Sequence, residues 1–376
     1  MSDLLTPSGT EALQVASALA EGDELAAASE LRRRFEPAVA AAALTQARLR
    51  LRARAKFGDR AATMFFTRAG LEQATRPVVA ARRAQRLLSG GVSRVADLGC
   101  GIGSDLFFLS GTGIESDRET ALCARLNVPS ARVIHGDVRD FDLSTVDAAF
   151  CDPARRTASR RVFDPSDYSP PWDWVLALVS SVPRTVLKLA PGIDQGALPK
   201  GSELELVSVD GEVVEAAAWC GPLARVPRRA TVIRRDFAHE LTGTGETPAP
   251  LGSPSTYIYD PDGAVVRSHL VAEFAATVGG AVADPTIAYI WSDRAVETPF
   301  ARCFAVDEVM PFSLKRLRAA LRARGVGRLE ILKRGSPLSP DSLRPQLKLS
   351  GDASASLLLT RVAGHPVAVI ANPVCA

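Results

Sequence analysis

The sequence predicts an α/β protein: a parallel sheet with helices on both faces, entered from a helical N-terminal region and followed by a smaller α/β region. Three observations predict it. Residues 1–90 carry almost no strand signal, and alanine, leucine and arginine recur there at helical spacing, as in Thr10-Glu11-Ala12-Leu13-Gln14-Val15-Ala16-Ser17-Ala18-Leu19. From Ser93 the pattern becomes strand, turn, helix, repeated, the sequence form of a parallel sheet. Residues 238–255 concentrate Gly, Pro, Thr and Ser, and after them the alternation restarts. The expected organisation is a helical domain over 1–90, a sheet domain over 91–237, a linker over 238–255 and a second α/β domain over 256–376.

Composition narrows the class. At 47% hydrophobic and 23% charged, the 376-residue chain is ordinary globular protein, long enough for two or three domains. The start Met1-Ser2-Asp3-Leu4-Leu5 has no basic or apolar leader, and the apolar run from Pro37 to Leu44 is too short to span a bilayer, so a soluble, cytoplasmic protein with no membrane partner is expected. The six cysteines show no C-x-x-C pair, and the four histidines do not cluster with them; no metal is expected. The net charge of +3 decides little, because arginine dominates the cations throughout and only local asymmetry argues for a polyanion.

The strands read from the pattern are 94–98, 112–115, 131–135, 147–151 and 185–190, then a more antiparallel tail over 203–233. The first runs into Val95-Ala96-Asp97-Leu98-Gly99-Cys100-Gly101-Ile102-Gly103-Ser104-Asp105, an acid and three alternating glycines before a helix expected near Ser104. Glycine lets the chain turn tightly and lets backbone amides approach a ligand, and a helix start adds unpaired N–H groups. The spacing is G-x-G-x-G, whereas a dinucleotide fingerprint needs G-x-G-x-x-G. Asp97 would repel a pyrophosphate but bind an ammonium. Two more strands end in acids: Glu115, eighteen residues after Asp97 and placed to accept ribose hydroxyls, and Asp137, placed to accept from an adenine amino group.

This pattern resembles the Rossmann-like S-adenosylmethionine-dependent methyltransferases. The resemblance implies a seven-stranded sheet, S-adenosyl-L-methionine as cofactor, and a cofactor site of Asp97, Gly99, Gly101, Gly103, Glu115 and Asp137. It also implies that the segment before the first strand, Met64 to Arg76, lids the methionine end of the cofactor. Thr67, Gln73 and Thr75 could then donate to its carboxylate, while Phe65 and Phe66 fit plain core equally well.

The fourth strand ends in Phe150-Cys151-Asp152-Pro153-Ala154-Arg155-Arg156, similar to the D-P-P-Y motif of enzymes that methylate exocyclic amines of nucleic-acid bases. That similarity makes Asp152 and the carbonyl of Pro153 the acceptors for the amine. The aromatic of the motif is absent, with Ala154 and Arg155 in its place, so base stacking falls to Phe163, Tyr168, Trp172 or Trp174 if to any of them. Arg155 and Arg156 suit a phosphate backbone. A cysteine-dependent carbon methylation would need Cys220 as nucleophile and ranks below amine chemistry, because no base stands beside it in sequence.

Charge is locally asymmetric only near the C-terminus, where ten basic residues stand against two acids between Pro311 and Lys348. Leu314, Leu317 and Leu321 define the inner face of an amphipathic helix whose outer face carries Lys315, Arg318 and Arg322. With the strand ending in Lys333 and Arg334 and a hairpin over 355–371, this region is similar to the THUMP-like domain found behind bacterial methyltransferase domains. That likeness implies RNA docking through Lys315, Arg318, Arg322, Lys333 and Arg334. The earlier run Arg48, Arg50, Arg52, Arg54 and Lys56 alternates every second residue and divides between helix faces, which fits a solvated helix better than an RNA-touching one. The expected function is methylation of an exocyclic base nitrogen in RNA. The alternatives are a small-molecule or protein methyltransferase, or a non-catalytic cofactor-binding RNA-binding protein; oligomeric state is not legible.

Overall fold

The computed structural model describes residues 1–155 and 168–374. The N-terminal helices are α1 (Pro7–Leu19), α2 (Glu24–Arg34), α3 (Pro37–Phe57), α4 (Arg68–Gln73) and α5 (Pro77–Ser89). Local chemistry sets their starts: the Thr6 and Asp23 side chains accept from Gly9 N at 3.1 Å and Ala26 N at 2.9 Å, and proline opens α1, α3 and α5. Leu13, Ala16, Leu31, Ala43 and Ala47 form their core. Pro77 disfavours helical geometry at Arg76 and separates α4 from α5.

The sheet elements follow as β1 (Val95–Leu98), α6 (Leu106–Leu109), β2 (Thr112–Glu115), α7 (Arg118–Asn127), β3 (Arg132–His135), β4 (Ala148–Cys151), β5 (Ala154–Arg155), β6 (Tyr168–Ser169), α8 (Trp172–Ser181), β7 (Thr185–Leu189), β8 (Glu203–Val209), β9 (Glu212–Trp219), β10 (Arg228–Arg234) and β11 (Phe237–Gly243). Two compact units divide the chain. One holds Met1–Leu189, Ile193–Gly201 and Ala218–Leu223; the other holds Ala190–Gly192, Ser202–Ala217 and the chain from Ala224 onward.

In the first unit the strand order is β7-β4-β1-β2-β3, with the last two residues of β9 beside β7. The pairs β4–β7, β1–β4, β1–β2 and β2–β3 are all parallel. Leu98 is in register with both Ile114 and Cys151, and Cys151 with Leu187. The residues that follow these positions, Gly99, Glu115, Asp152 and Lys188, therefore emerge side by side at one end of the sheet, where open α/β sheets bind ligands.

The second unit contains the hairpin partners β8 and β9, with β10 parallel to β8 and β11 antiparallel to β10. The segment expected as a linker from 238 thus begins inside a strand, because β11 pairs with β10 from Phe237 to Gly243. The remaining elements are β12 (Tyr257–Pro261), α9 (Gly263–Arg267), α10 (Val271–Val278), β13 (Ala281–Val282), β14 (Ile290–Ser292), β15 (Ala301–Pro311), α11 (Leu314–Ala323), β16 (Val326–Lys333), α12 (Pro340–Leu347), β17 (Ala353–Val362) and β18 (His365–Pro373). They build a sheet of order β13-β14-β12-β15-β18-β17-β16. Leu317, Leu321, Leu343 and Leu347 of the two late helices pack on Leu357, Leu359 and Ile370, which is the amphipathic arrangement the leucine spacing calls for.

A short break separates α9 from α10. The break lies at His269, whose φ of 63° is left-handed. Replacing exposed His269 by Gly should raise stability by about 1 kcal/mol, since only glycine holds this conformation without steric cost; urea denaturation midpoints of the two proteins measure it.

Candidate active site

The glycine-rich turn leaves β1 over its neighbour: Gly99 N and Cys100 N both donate to the Ile114 carbonyl, at 2.9 and 3.0 Å. Gly99 adopts φ +87°, and a Cβ there would lie 3.3 Å from the Asp152 carbonyl oxygen. Gly103 adopts φ +86°, and a Cβ there would lie 2.9 Å from Val128 Cγ2. Glycine is needed at both places for conformation and for space. Gly101 N donates to Glu115 Oε2 at 3.0 Å, and Asp117 N to Glu115 Oε1 at 2.8 Å, so the Glu115 carboxylate is held with lone pairs to spare. The helix expected near Ser104 is a single four-residue turn, α6, starting at Leu106. It is too short to supply the N-terminal field the sequence suggested.

The N-terminal helices wall this turn. Asn127 Nδ2 donates to the carbonyls of Phe65 and Ile102, both at 2.9 Å, while buried Gln46 exchanges hydrogen bonds with Phe66 N and O at 2.9 and 3.0 Å. A Cβ at Gly70 would lie 2.4 Å from Ile102 Cγ2, which shows how closely α4 lies on the loop. Phe66 is core, and the segment is tied to the turn by the hydrogen bonds of Gln46 and Asn127. The basic run of α3 binds its own domain: Arg50 donates to the Met64 carbonyl at 2.9 Å, and Lys56 donates to the carbonyls of Leu71 and Ala74, each at 2.8 Å.

Asp97 is buried, and both of its carboxylate oxygens lack a hydrogen-bond partner among the described residues. Burial pushes its pKa well above the usual carboxylate range, and the nearby Asp105 and Asp152 push it the same way; Arg83 and Lys188 oppose them. Arg83, from α5, pairs with Asp105 and lies 4.3 Å over the Phe150 ring. Lys188, from β7, donates to Asp152 Oδ2 at 2.6 Å. The hydroxyls of Thr75 and Ser104 are also buried without a partner among the described residues.

Arg83, Asp105 and Lys188 escaped the sequence reading. The one available signal was a lysine inside the apolar strand Thr185-Val186-Leu187-Lys188-Leu189, in a chain with six lysines.

Other expected site residues are engaged elsewhere. Asp137 caps its own turn through Arg139 N at 2.9 Å and accepts from the Arg139 guanidinium at 2.6 Å, which holds its carboxyl down to about 2. Thr67 caps α4 by accepting from Gly70 N at 3.0 Å. Tyr168 and Trp172 are buried against each other with ring centroids 5.2 Å apart, so neither is a free stacking platform. Burial pushes the Cys220 thiol up to about 12, which disfavours the thiolate a nucleophile needs. Phe163 and Arg156 lie outside the described residues, and Arg155 is described by its backbone alone.

In the second unit Arg334 pairs with Asp260 at 2.7 Å, and Arg318 donates to the Gln346 carbonyl. Both are structural ties. Lys315, Arg322 and Lys333 are exposed and make no ion pair among the described residues.

Comparison with known proteins decides the family. The chain is 34% identical over 351 residues to uncharacterized S-adenosylmethionine-dependent methyltransferases of two Mycobacterium tuberculosis strains, covering 87% of this chain and 94% of theirs. The chain belongs to the S-adenosylmethionine-dependent methyltransferases. A crystal structure from Porphyromonas gingivalis W83, assigned as a methyltransferase, superposes with a TM-score of 0.79 at 24% identity over 97% of this chain and 99% of that one, which shows a shared fold. Residues 301–373 match the THUMP domain-like family, and residues 1–53 match a domain of unknown function. No helix among the described residues is long and apolar enough to cross a membrane, and no His/Cys/Asp/Glu group among them could hold a metal.

The methyltransferase site suits its cofactor, S-adenosyl-L-methionine. A buried carboxylate with two open oxygens asks for a cation, and the methionine part of the cofactor carries an ammonium. Replacing Asp97 by Asn should raise the stability of the free enzyme by about 1–3 kcal/mol, because a desolvated charge disappears, and should weaken cofactor binding at least about a hundredfold. Urea denaturation and calorimetry with S-adenosylhomocysteine measure the two effects. The raised pKa gives the sign for pH: the free wild-type enzyme should gain stability as pH falls through the folded pKa of Asp97, and the Asn variant should lose that gain.

Proposed function

We propose that this methyltransferase modifies an exocyclic amine of a base in RNA, with Asp152 and the Pro153 carbonyl orienting the acceptor. The position of Asp152 carries the reading. It directly follows β4, its carbonyl lies against Gly99 of the glycine-rich turn, and its side chain is one-third exposed. A carboxylate there accepts hydrogen bonds from an amine and holds its nitrogen toward the reacting carbon. The cofactor supplies a methyl group activated by the sulfonium. Asp97 would hold its ammonium and Glu115 its ribose hydroxyls, and the turn at Gly99, Gly101 and Gly103 would admit its close approach. Asp137 would take the adenine amino group on displacement of the exposed Arg139 side chain.

RNA as the acceptor is supported by the THUMP domain-like match and by the exposed cations Lys315, Arg322 and Lys333 within it. Those residues neutralise phosphates without reading sequence.

Incubation of the enzyme with methyl-labelled cofactor and separated RNA, protein and small-molecule fractions from a deletion strain should label RNA. Label confined to another fraction would overturn the acceptor class. Asp152→Ala should reduce incorporation by about a thousandfold or more while cofactor binding persists. For docking, RNA affinity should fall steeply with salt, and the triple change of Lys315, Arg322 and Lys333 to Ala should lower the slope of log affinity against log salt by about 2–3; filter binding between low and moderate salt reads it.

A further inference from the structure

Lys188 stands where the acceptor and cofactor sides of the site meet. It is the fourth residue of β7, between buried Leu187 and Leu189. Its Nζ donates to Asp152 Oδ2 at 2.6 Å and to the Gln73 carbonyl at 3.3 Å, and its side chain is 15% exposed. The end of α4 that presents Gln73 is itself held, because Lys56 Nζ donates to the carbonyls of Leu71, Glu72 and Ala74 at 2.8, 3.2 and 2.8 Å. The Lys188 ammonium is thus directed from one fixed acceptor toward another, and Asp152 cannot rotate without breaking a charge-assisted bond.

Two consequences follow from this geometry. With Oδ2 committed to Lys188, Oδ1 is the Asp152 oxygen left for an acceptor. The second is electrostatic: Asp97 at the end of β1 is approached by Asp105 from the loop before α6 and by Asp152 from β4, with Arg83 of α5 and Lys188 of β7 as the opposing cations. Arg83 pairs with Asp105 and Lys188 with Asp152. Without Lys188 the Asp152 charge would act uncompensated on a carboxylate already deprived of water.

We propose that Lys188 is a positioning residue with two tasks: it presents Asp152 Oδ1 to the acceptor, and by compensating Asp152 it keeps the Asp97 carboxylate available to the ammonium of the cofactor. The first task rests on the reading of Asp152 as acceptor-orienting; the second needs the cofactor alone. Asp97 holds an ammonium only when ionised, so affinity falls as pH falls through its pKa. Since Lys188 pulls that pKa down, its loss moves the fall in affinity to higher pH.

Calorimetric titration of the full chain with S-adenosylhomocysteine between about pH 6 and pH 8 tests this, using wild type, Lys188→Met, Asp152→Asn and the double variant. Lys188→Met should bind about tenfold more weakly near pH 7, with the loss growing toward acid, and Asp152→Asn should bind at least as well as wild type. The double variant should return to within about threefold of Asp152→Asn, because the charge that needed compensation is gone. Lys188→Arg should keep most of the affinity, and it carries the comparison with Asp152→Asn if the Met variant melts early. Lys188→Met binding like wild type at every pH, or a double variant as weak as the single, would overturn the proposal. The titrations contain no acceptor, so a wrong choice of acceptor leaves them unchanged.

Discussion

The site depends on a carboxylate kept out of water with no protein donor to satisfy it. Burying an isolated charge costs several kcal/mol even after relaxation, and Asp97 sits buried at the end of a central strand with both oxygens unpartnered among the described residues. A fold retains such a group when something outside the chain completes it. Under the proposed reading that something is the ammonium of the cofactor, and the desolvation that weakens the free enzyme would become affinity when the ligand arrives. The parallel register forces this placement. Leu98, Ile114, Cys151 and Leu187 align across four strands, and whatever follows them must share one small volume.

Three carboxylates in that volume would repel one another without compensation. The two ion pairs flanking Asp97 come from elements on either side of it: Arg83 from a helix before the sheet, Lys188 from a strand beyond β4. Each cation is matched to a carboxylate other than Asp97, whose oxygens stay without a hydrogen-bond partner among the described residues. The N-terminal helices belong to this arrangement. Gln46 and Asn127 tie the chain at Phe65 and Phe66, α4 presses on Ile102, and Lys56 closes the end of α4, so the wall against which Lys188 donates is held by several hydrogen bonds.

Much of the architecture was legible before any coordinates. Strands with apolar interiors and acidic ends announce themselves because burial and backbone pairing act on consecutive residues, and β1, β2, β3, β4 and β7 fall within a residue or so of their expected bounds. The amphipathic α11 was legible for the same reason. Elsewhere one local feature outweighed periodicity. Pro77 separates α4 from α5, a left-handed His269 separates α9 from α10, and pairing with β10 drew Phe237–Gly243 into a strand that overlaps the start of the expected linker. The glycine turn also ended in a much shorter helix than its pattern suggests, since α6 closes after four residues.

What the sequence by itself determined is the set of groups at the strand ends: Asp97, the three glycines, Glu115 and Asp152 lie in or next to the strands that carry them, so position along the chain sets their place at one end of the sheet. Only the tertiary structure decided which charges are free to act. Arg139 occupies Asp137, Asp260 occupies Arg334, Gln346 occupies Arg318, and Lys188 occupies one oxygen of Asp152. Most of these partners, like Arg83 and Lys188 themselves, lie tens of residues from the groups they meet. Ion pairing falls off over a few ångströms of space whatever the separation in sequence, so the pairs exist only once the strands and helices have been brought together.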